Sequence, residues 1–406
     1  MRVLKWVSLG LGSLITLVVI GVLVVVWLVD PNRFKPRIEA AVKDATGREL
    51  TLVGDIELGF FPWLALRTGE GRFGNAPGFD GPMVTWRQAQ LGAKLFPLLR
   101  GELVADRVHL TGVDLRLARH ADGSANWEGI GSRQPAAPRS AEEQPGKTQF
   151  SIDGVEIDDG RISFVDETAP RKVEVTAFHF ETDEISPGHP FTDTEIAGTL
   201  HMDGFAPAGV PFKLAVPSAE LSQDFSSVAV EAFDATFGAL ELEGGVQGTL
   251  GAAPRLAGRV ETNEFDPRAL LAAVGVAAPK TTDPQALGVV ALKGDWKFDA
   301  GAIAIEPFSL RVDETRFTGK FRRAAGDDPV ATFELTGDTL DIARYVPPTD
   351  PDSPPFKLPT EMLKALEFGG TLTLGEATYG DTKLKGVTLR LQLDEQGLHQ
   401  PPAEKP

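Results

Sequence analysis

The chain of 406 residues contains no cysteine, only six histidines and only two tyrosines. Without cysteine it can form no disulfide, thiolate zinc site, iron–sulfur cluster or cysteine nucleophile. It also lacks an excess of basic residues, because the formal net charge is −17 and the isoelectric point is near 4.9. Binding of nucleic acid needs a clustered basic surface, so this charge balance argues against a nucleic-acid partner.

Sequence signatures of catalysis and cofactor binding are also missing. The chain has no Walker loop, HExxH, GxSxG or EF-hand loop, and no two histidines stand at metal-ligand spacing. The segment Gly69–Gly74 fits GxGxxG, but Pro77 and Gly78 follow where a dinucleotide site needs a helix. We therefore predict that the protein is not an enzyme and has no catalytic, cofactor-binding or metal-binding residues.

Acidic side chains are the remaining candidates for metal binding or acid–base chemistry. They group at Asp153, Asp158 and Asp159 and at Asp350 and Asp352. Carboxylates can bind calcium or act as general acids and bases, but acidic residues are also common in solvated turns. We predict solvated turns, and the alternative is a hydrolase that uses Asp158 and Asp159. His179 stands between two phenylalanines and is predicted to be an ordinary strand residue.

One long hydrophobic run stands near the N-terminus. Val7–Val29 contains 23 residues without a charge. At 1.5 Å per residue, a helix of this length crosses a hydrocarbon core of roughly 30 Å. A cleaved signal peptide is the alternative, but the run is longer than a usual signal-peptide core and no small-residue cleavage site follows it. We predict a transmembrane helix at 7–29 after a short tail at 1–6. Basic residues flank the run on both sides, so charge does not orient it.

A short helical pattern follows the hydrophobic run. Apolar residues recur at helical spacing from Ile38 to Ala45, between Pro36 and Gly47. Proline is common at the start of a helix and glycine at its end. We therefore predict a short amphipathic helix at 35–46.

Beyond this helix the apolar residues alternate with polar ones. The pattern occurs at Leu50/Leu52, Ile56/Leu58, Leu64/Leu66, Val108/Leu110, Leu115/Leu117, Ile303/Ile305, Leu372/Leu374 and Leu389/Leu391/Leu393. A period of two predicts half-buried strands, and glycines between them favour tight turns in an antiparallel sheet. The predicted fold is mainly β with a few short helices: one transmembrane helix, then a curved antiparallel β-sheet domain. Alternation alone leaves open whether the sheet closes into a sandwich core or remains an open, apolar-lined groove.

Proline-rich segments divide the predicted β-sheet domain. Residues 133–147 are predicted to be a disordered linker, and residues 347–359 a loop. They separate an N-terminal β region at 31–132, a central β region at 148–346 and a C-terminal β region at 360–400. Two further short helices are predicted at Pro267–Val276 and Thr360–Leu366.

Several sequence segments, in a fixed order, resemble the AsmA family of bacterial envelope proteins. In the N-terminal half they are "DPNRFKPRIEAAVKDATGRELTLVGDIELGFFPWLAL" from Asp30, "GNAPGF" from Gly74, "LFPLLRGEL" from Leu95, "LTGVDLRLAR" from Leu110 and "DGSANWEGI" from Asp122. In the second half they are "FDPRALLAAVGV" from Phe265, "LRVDETRFTGKF" from Leu310 and "LDIARYVPP" from Leu340.

The resemblance implies an inner-membrane anchor with a cytoplasmic N-terminus and a periplasmic β domain. It also implies a role in outer-membrane biogenesis and carries no catalytic residues. Larger relatives such as TamB resemble chorein-type bridges that carry lipids along an apolar β-lined groove, and smaller members are linked to assembly of outer-membrane proteins. Family members usually continue with more strands after a segment like Val387–Pro402, so the region at 360–400 is expected to be truncated.

The functional expectation combines the resemblance with the strand pattern. We expect an AsmA-like envelope protein that assists outer-membrane biogenesis, through lipid transport or through targeting and assembly of outer-membrane proteins. Its expected partners are the inner membrane, through Val7–Val29, phospholipid acyl chains in a β-lined groove and other envelope proteins. The alternative is a regulatory or scaffolding periplasmic protein with a closed β core that binds protein partners.

Overall fold

The computed structural model describes residues 31–59, 64–93, 105–130, 152–168, 171–185, 190–222, 226–251, 253–326, 331–348, 368–394 and 397–399. The predicted transmembrane helix at 7–29, the linker at 133–147, the helix at 360–366 and the acidic pair Asp350 and Asp352 lie outside these residues. Of the helices in the described part of the chain, none is long and apolar enough to cross a membrane.

The chain divides into two compact units, Met1–Lys172 (unit 1) and Val173–Pro406 (unit 2). Unit 1 begins with a 3₁₀ turn, Pro31–Phe34, and the helix α1, Lys35–Thr46, which has the predicted bounds. Its strands are β1 (Leu50–Leu52), β2 (Glu57–Gly59), β3 (Leu64–Thr68), β4 (Gly71–Phe73), β5 (Val84–Trp86), β6 (Gln88–Ala93), β7 (Ala105–Thr111), β8 (Asp114–Arg119) and β9 (Ile152–Asp166).

The long strand β9 organises the sheet of unit 1. Strands β7 and β8 run one after the other alongside it, and both are parallel to it. Gly112, at φ +67°, makes the irregularity between them. Antiparallel pairing then continues from β7 through β6 and β3 to β2, and from β8 through β5 and β4 to β1. Unit 1 is therefore a mixed sheet rather than the purely antiparallel one predicted.

Unit 2 contains thirteen described strands and two short helices. The strands are β10 (Arg171–Ile185), β11 (Phe191–Met202), β12 (Phe205–Leu221), β13 (Ser227–Phe237), β14 (Leu240–Thr249), β15 (Arg255–Thr262), β16 (Val290–Asp299), β17 (Ala302–Val312), β18 (Thr315–Arg323), β19 (Ala331–Asp341), β20 (Phe368–Tyr379), β21 (Thr382–Asp394) and β22 (Gly397–His399). The helices are α2, Pro267–Ala273, between β15 and β16, and α3, Ile342–Tyr345, after β19.

Each strand of unit 2 from β10 to β19 pairs with the next in antiparallel fashion. The single departure among the described strands is β19–β20, which is parallel because α3 and the segment after it return the chain to the opposite end of the sheet. Since the described first and last strands do not pair with each other, this sheet is open. The prediction of a mainly β chain with a few short helices is confirmed.

The helix predicted at Pro267–Val276 is three residues shorter in the structure. Asp266 caps its start by accepting a hydrogen bond from the backbone N–H of Arg268. It ends at Ala273 because Val274 is the C-cap residue and Gly275 has a φ of +77°. A glycine with positive φ just after the last turn is a common helix stop.

Candidate functional site

The two sides of the unit 2 sheet differ sharply in chemistry between β14 and β21. One side, which we call the polar face, carries ion pairs between neighbouring strands. They are Arg255–Asp299, Arg259–Asp295, Glu261–Lys293 and Lys320–Glu334. Directly opposed side chains in a sheet lie close enough to interact in this way. The charged side chains of the polar face are therefore in contact with water.

The other side, which we call the apolar face, consists of four rows of residues that follow the strand register. Row 1 is Gly248, Leu256, Phe298, Ile303, Arg323 and Ala331. Row 2 is Val246, Gly258, Trp296, Ile305, Phe321, Phe333 and Gly370. Row 3 is Gly244, Val260, Gly294, Phe308, Gly319, Leu335, Leu372 and Leu389. Row 4 is Leu242, Thr262, Leu292, Leu310, Phe317, Gly337, Leu374 and Val387.

Aromatic rings on the apolar face lie across glycines of the neighbouring strand. A Cβ added to Gly370 would come within 2.7 Å of the ring of Phe333, and one added to Gly337 would come within 2.8 Å of Phe317 and Leu374. These rings lie close over the neighbouring backbone, where a side chain on the glycine would block them. The glycines, which sequence analysis treated only as turn signals, therefore shape the apolar surface itself.

The apolar face is capped at the row 4 end. Phe317 is 8 % exposed, Leu374 is 1 % exposed, and Ile342 of α3 packs against the same cluster. Nearer row 1 the face is more open: along β18 its residues change from buried Phe317 through half-buried Phe321 to exposed Arg323. Among the described residues, rows 1 to 3 contain no buried hydrophobic side chain, so no second layer packs on them in the way that Ile342 packs on row 4. We call these two regions the capped end and the open end.

A buried aspartate at the capped end holds the loop before β16 and the last residue of α3 by hydrogen bonds. Asp313 is 6 % exposed and accepts hydrogen bonds from the backbone N–H groups of Leu287, Gly288 and Val289 at 2.8, 2.8 and 3.1 Å. The hydroxyl of Tyr345 donates a fourth, at 2.7 Å. Burial alone would raise the pKa of Asp313, but these four donors outweigh it and hold the pKa below its usual value. Sequence analysis missed this aspartate, which lies within the "LRVDETRFTGKF" segment.

One recess in the described part of unit 2 lies on the polar face. It has a volume of about 520 Å³ and its lining includes Glu231, Glu243, Arg259, Glu261 and Asp295. A recess bordered by this many charges does not suit an acyl chain, because a charge that loses water without a partner costs free energy. The apolar face and this recess are therefore separate features.

The sequence-predicted acidic candidates of unit 1 are held by different partners. Asp158 Oδ2 lies 3.0 Å from His109 Nε2, whereas Asp159 pairs with Arg87. They do not form the two-carboxylate pair that the hydrolase alternative needs. His109, Glu156 and Asp158 come close enough for their ligand atoms to lie within 4.8 Å of one another. Sequence analysis missed this grouping because parallel pairing of β7 with β9 brings it together.

Two other sequence candidates have ordinary structural roles. His179 lies in β10 opposite Ala197, as predicted for a strand residue. In the Gly69–Gly74 segment, Gly71–Phe73 forms strand β4, and a turn rather than a helix follows it. A phosphate at this place would therefore not meet a helix N-terminus, which dinucleotide sites use.

Several of the N-terminal segments that resemble the AsmA family contact one another in unit 1. Arg48, from "GREL", is 7 % exposed and donates hydrogen bonds to the backbone carbonyls of Asn126 and Glu128, from "DGSANWEGI", at 3.2 and 2.9 Å. The side chain of Asn126 in turn bonds to the backbone of β8. Phe79, from "GNAPGF", stacks on His120 with ring centroids 4.2 Å apart. Hydrogen bonds and ring stacking thus link these segments to one another around strand β8.

Comparison with known proteins agrees with this resemblance. No curated protein and no solved structure gives a match. The family model described as "AsmA family" matches residues 1–250, which is more than half of the chain and includes all of unit 1. The protein therefore belongs to the AsmA family.

Proposed function

We propose that this protein is a non-enzymatic envelope protein that binds phospholipid acyl chains on its apolar face and thereby assists lipid transport in outer-membrane biogenesis. The observation that carries the proposal is the apolar face itself. Its four rows contain hydrophobic residues and glycines with one threonine and one charged residue. Family membership supports an envelope role in general.

The physical argument starts from the cost of uncovered apolar surface. A sheet with one apolar side is normally covered by a second layer, and large exposed apolar patches on soluble domains usually mark binding sites. Rows 1 to 3 have no such cover among the described residues, yet their side chains are only half-buried by their own neighbours. An acyl chain that lies along the strands and crosses these rows supplies the missing layer and contributes about 0.8 kcal/mol for each methylene that it removes from water.

The hydrophobic run at Val7–Val29 supports a membrane location for this activity. We propose that it anchors the chain in the inner membrane with its N-terminus in the cytoplasm, so that the β-rich part after the anchor lies in the periplasm. The anchor would keep the apolar face near a source of phospholipid. In this proposal the protein acts as a local scaffold or as one member of a relay.

Site-specific photo-crosslinking in a Gram-negative host tests the lipid proposal on the full-length chain. A benzophenone amino acid replaces Phe321 or Phe333 on the apolar face, and Thr318 or Lys320 on the polar face of the same sheet serves as the matched control. After irradiation, adducts are identified by mass spectrometry of the purified protein. We expect phospholipid adducts at the two apolar positions and none at the polar ones.

Two outcomes contradict the proposal. If no position yields a lipid adduct, the apolar face does not bind lipid in the envelope. If Phe321 and Phe333 yield only protein adducts, the apolar face is a protein-binding surface, and the scaffolding alternative or the assembly of outer-membrane proteins replaces lipid transport. The adduct's mass separates these results, because a phospholipid adds far less mass than a protein, which shifts the band visibly on a gel.

A further inference from the structure

The apolar face carries one charged side chain in the rows described above, and this residue is Arg323. Among the residues that form rows 1 to 4 between β14 and β21, all the others are hydrophobic, glycine or threonine. Arg323 stands in row 1, opposite Ile303 on one side and Ala331 on the other. A lone guanidinium thus marks the open end of the face.

The neighbouring residue, Arg322, is also an arginine but lies in a different environment. Arg322 points to the polar face, and its Nε donates to Glu306 Oε2 at 2.8 Å. Arg323 lies on the apolar face, because side chains alternate along a strand and the register places Arg323 opposite Ile303, two residues from Phe321 opposite Ile305. Two adjacent arginines therefore lie on opposite sides of one strand, in a charged and an apolar environment respectively.

The uncovered part of the apolar face is long enough for most of one acyl chain. Rows 1 to 3 span four residues along β18, from Arg323 to Gly319, which is about 13 Å at roughly 3.3 Å per residue. Each leaflet of a bilayer contributes about half of a hydrocarbon core of roughly 30 Å. Most of an acyl chain therefore fits between the open end and the buried cluster of the capped end.

We infer that a phospholipid lies along the strands of the apolar face with its phosphate at Arg323 and the methyl ends of its acyl chains toward Leu374 and Phe317. Guanidinium groups bind phosphate oxygens through two parallel N–H donors. The head group stays in water at the open end, where Arg323 is exposed, and the buried cluster at the capped end limits how far the chain enters. This inference rests on the proposed function and adds the orientation of the lipid to it.

The first experiment compares the two adjacent arginines in the full-length chain. The benzophenone at Phe321 reports phospholipid adducts in the unchanged background, in Arg323→Gln and in the control Arg322→Gln. We expect Arg323→Gln to lower the phospholipid yield about threefold, because an exposed ion pair contributes only modestly to binding. Arg322→Gln should leave it unchanged, and Arg323→Lys, which keeps the charge, should restore most of it.

The second experiment maps where the adduct forms on the lipid. A benzophenone at Phe321, in row 2, should attach near the ester end of the acyl chain, and one at Leu335, in row 3, should attach closer to the methyl end. Tandem mass spectrometry of the lipid-modified peptide, obtained by proteolysis of the adduct, measures both positions. The reverse order, or the same distribution at both sites, overturns the orientation.

The results separate this inference from the proposed function. Absence of lipid adducts from the unchanged background overturns the proposed function and the inference with it. Lipid adducts of equal yield in Arg323→Gln and Arg322→Gln leave the lipid function standing but overturn the role of Arg323.

Discussion

The capped end and the open end of the apolar face contain the same types of residue but differ in how deeply these residues are buried. At the capped end Leu374 is 1 % exposed and Phe317 8 % exposed, whereas at the open end Phe321 and Phe333 remain half-buried. The difference comes from what lies over them. Ile342 packs on the capped end, while no described element packs on the open end. Burial, and not hydrophobicity, therefore separates the part that stabilises the fold from the part available to a ligand.

This contrast implies an uneven distribution of stability within unit 2. Buried contacts contribute most of the free energy of unfolding, and partly exposed regions open more easily. We expect substitutions at the capped end to lower stability strongly and substitutions at the open end to change lipid binding instead. Hydrogen exchange of backbone amides, measured on peptides from β18 to β20 of the full-length chain, distinguishes the two effects.

The largest effect is expected for Leu374→Ala at the capped end. Removing a fully buried leucine side chain leaves a cavity and costs about 3 kcal/mol, within a range of roughly 2–5 kcal/mol. Amide protection in β18 and β20 should fall by the corresponding free energy. The matched control is Leu384→Ala in β21, because Leu384 is 55 % exposed and its truncation should cost less than about 0.5 kcal/mol. Equal losses for the two variants would show that the capped end is not a packed core.

A smaller loss is expected for Asp313→Asn. The amide keeps the shape of the side chain but has one acceptor oxygen in place of two, so it leaves backbone N–H donors of residues 287–289 without a partner. Such a loss costs about 2 kcal/mol at pH 7. The control is Asp299→Asn. The carboxylate of Asp299 makes only an exposed ion pair with Arg255, so its replacement should cost less stability than that of Asp313.

The pH dependence of this variant has a definite sign. The pKa of Asp313 in the folded state lies below its ordinary value of 3.8, so its stabilising contribution is complete at pH values well above 3.8. It is lost as the pH falls through the folded-state pKa. The stability difference between the unchanged protein and Asp313→Asn should therefore be constant near neutral pH and shrink in acid below about pH 3.8. A difference that grows in acid would contradict the assignment of Asp313 as an ionised acceptor.

Sequence patterns predicted the local elements well where one physical signal dominated. The helix at 35–46 was predictable because proline, the apolar stripe and glycine agree on its bounds. The strands with Leu372 and Leu374 or with Ile303 and Ile305 were predictable from their period of two. The domain boundaries predicted at 133–147 and 347–359 stay predictions.

Longer-range features could not be predicted because they depend on strand pairing. The parallel pairing of β9 with β7 and β8 follows from the path of the chain and not from alternation. The hydrogen bonds to Asp313 come from residues 24 to 32 positions away, whose closeness no local pattern reveals. Likewise, Arg322 and Arg323 look equivalent in the sequence, and only the register assigns them to opposite faces.

The smallest effect on stability is expected at the open end, for Phe321→Gln. Phe321 is half-buried between Ile305 and Phe333, and a cross-strand contact of this kind contributes about 0.2–1 kcal/mol. Amide protection in β18 should therefore fall by about 1 kcal/mol or less, while phospholipid adducts at a benzophenone in place of Leu335 should fall several-fold, because glutamine places a polar amide in the path of the acyl chain. Thr318→Gln, on the polar face of the same strand, controls for the substitution itself. If Phe321→Gln loses much stability but keeps its lipid adducts, the open end is part of the structural core and not a lipid-binding surface.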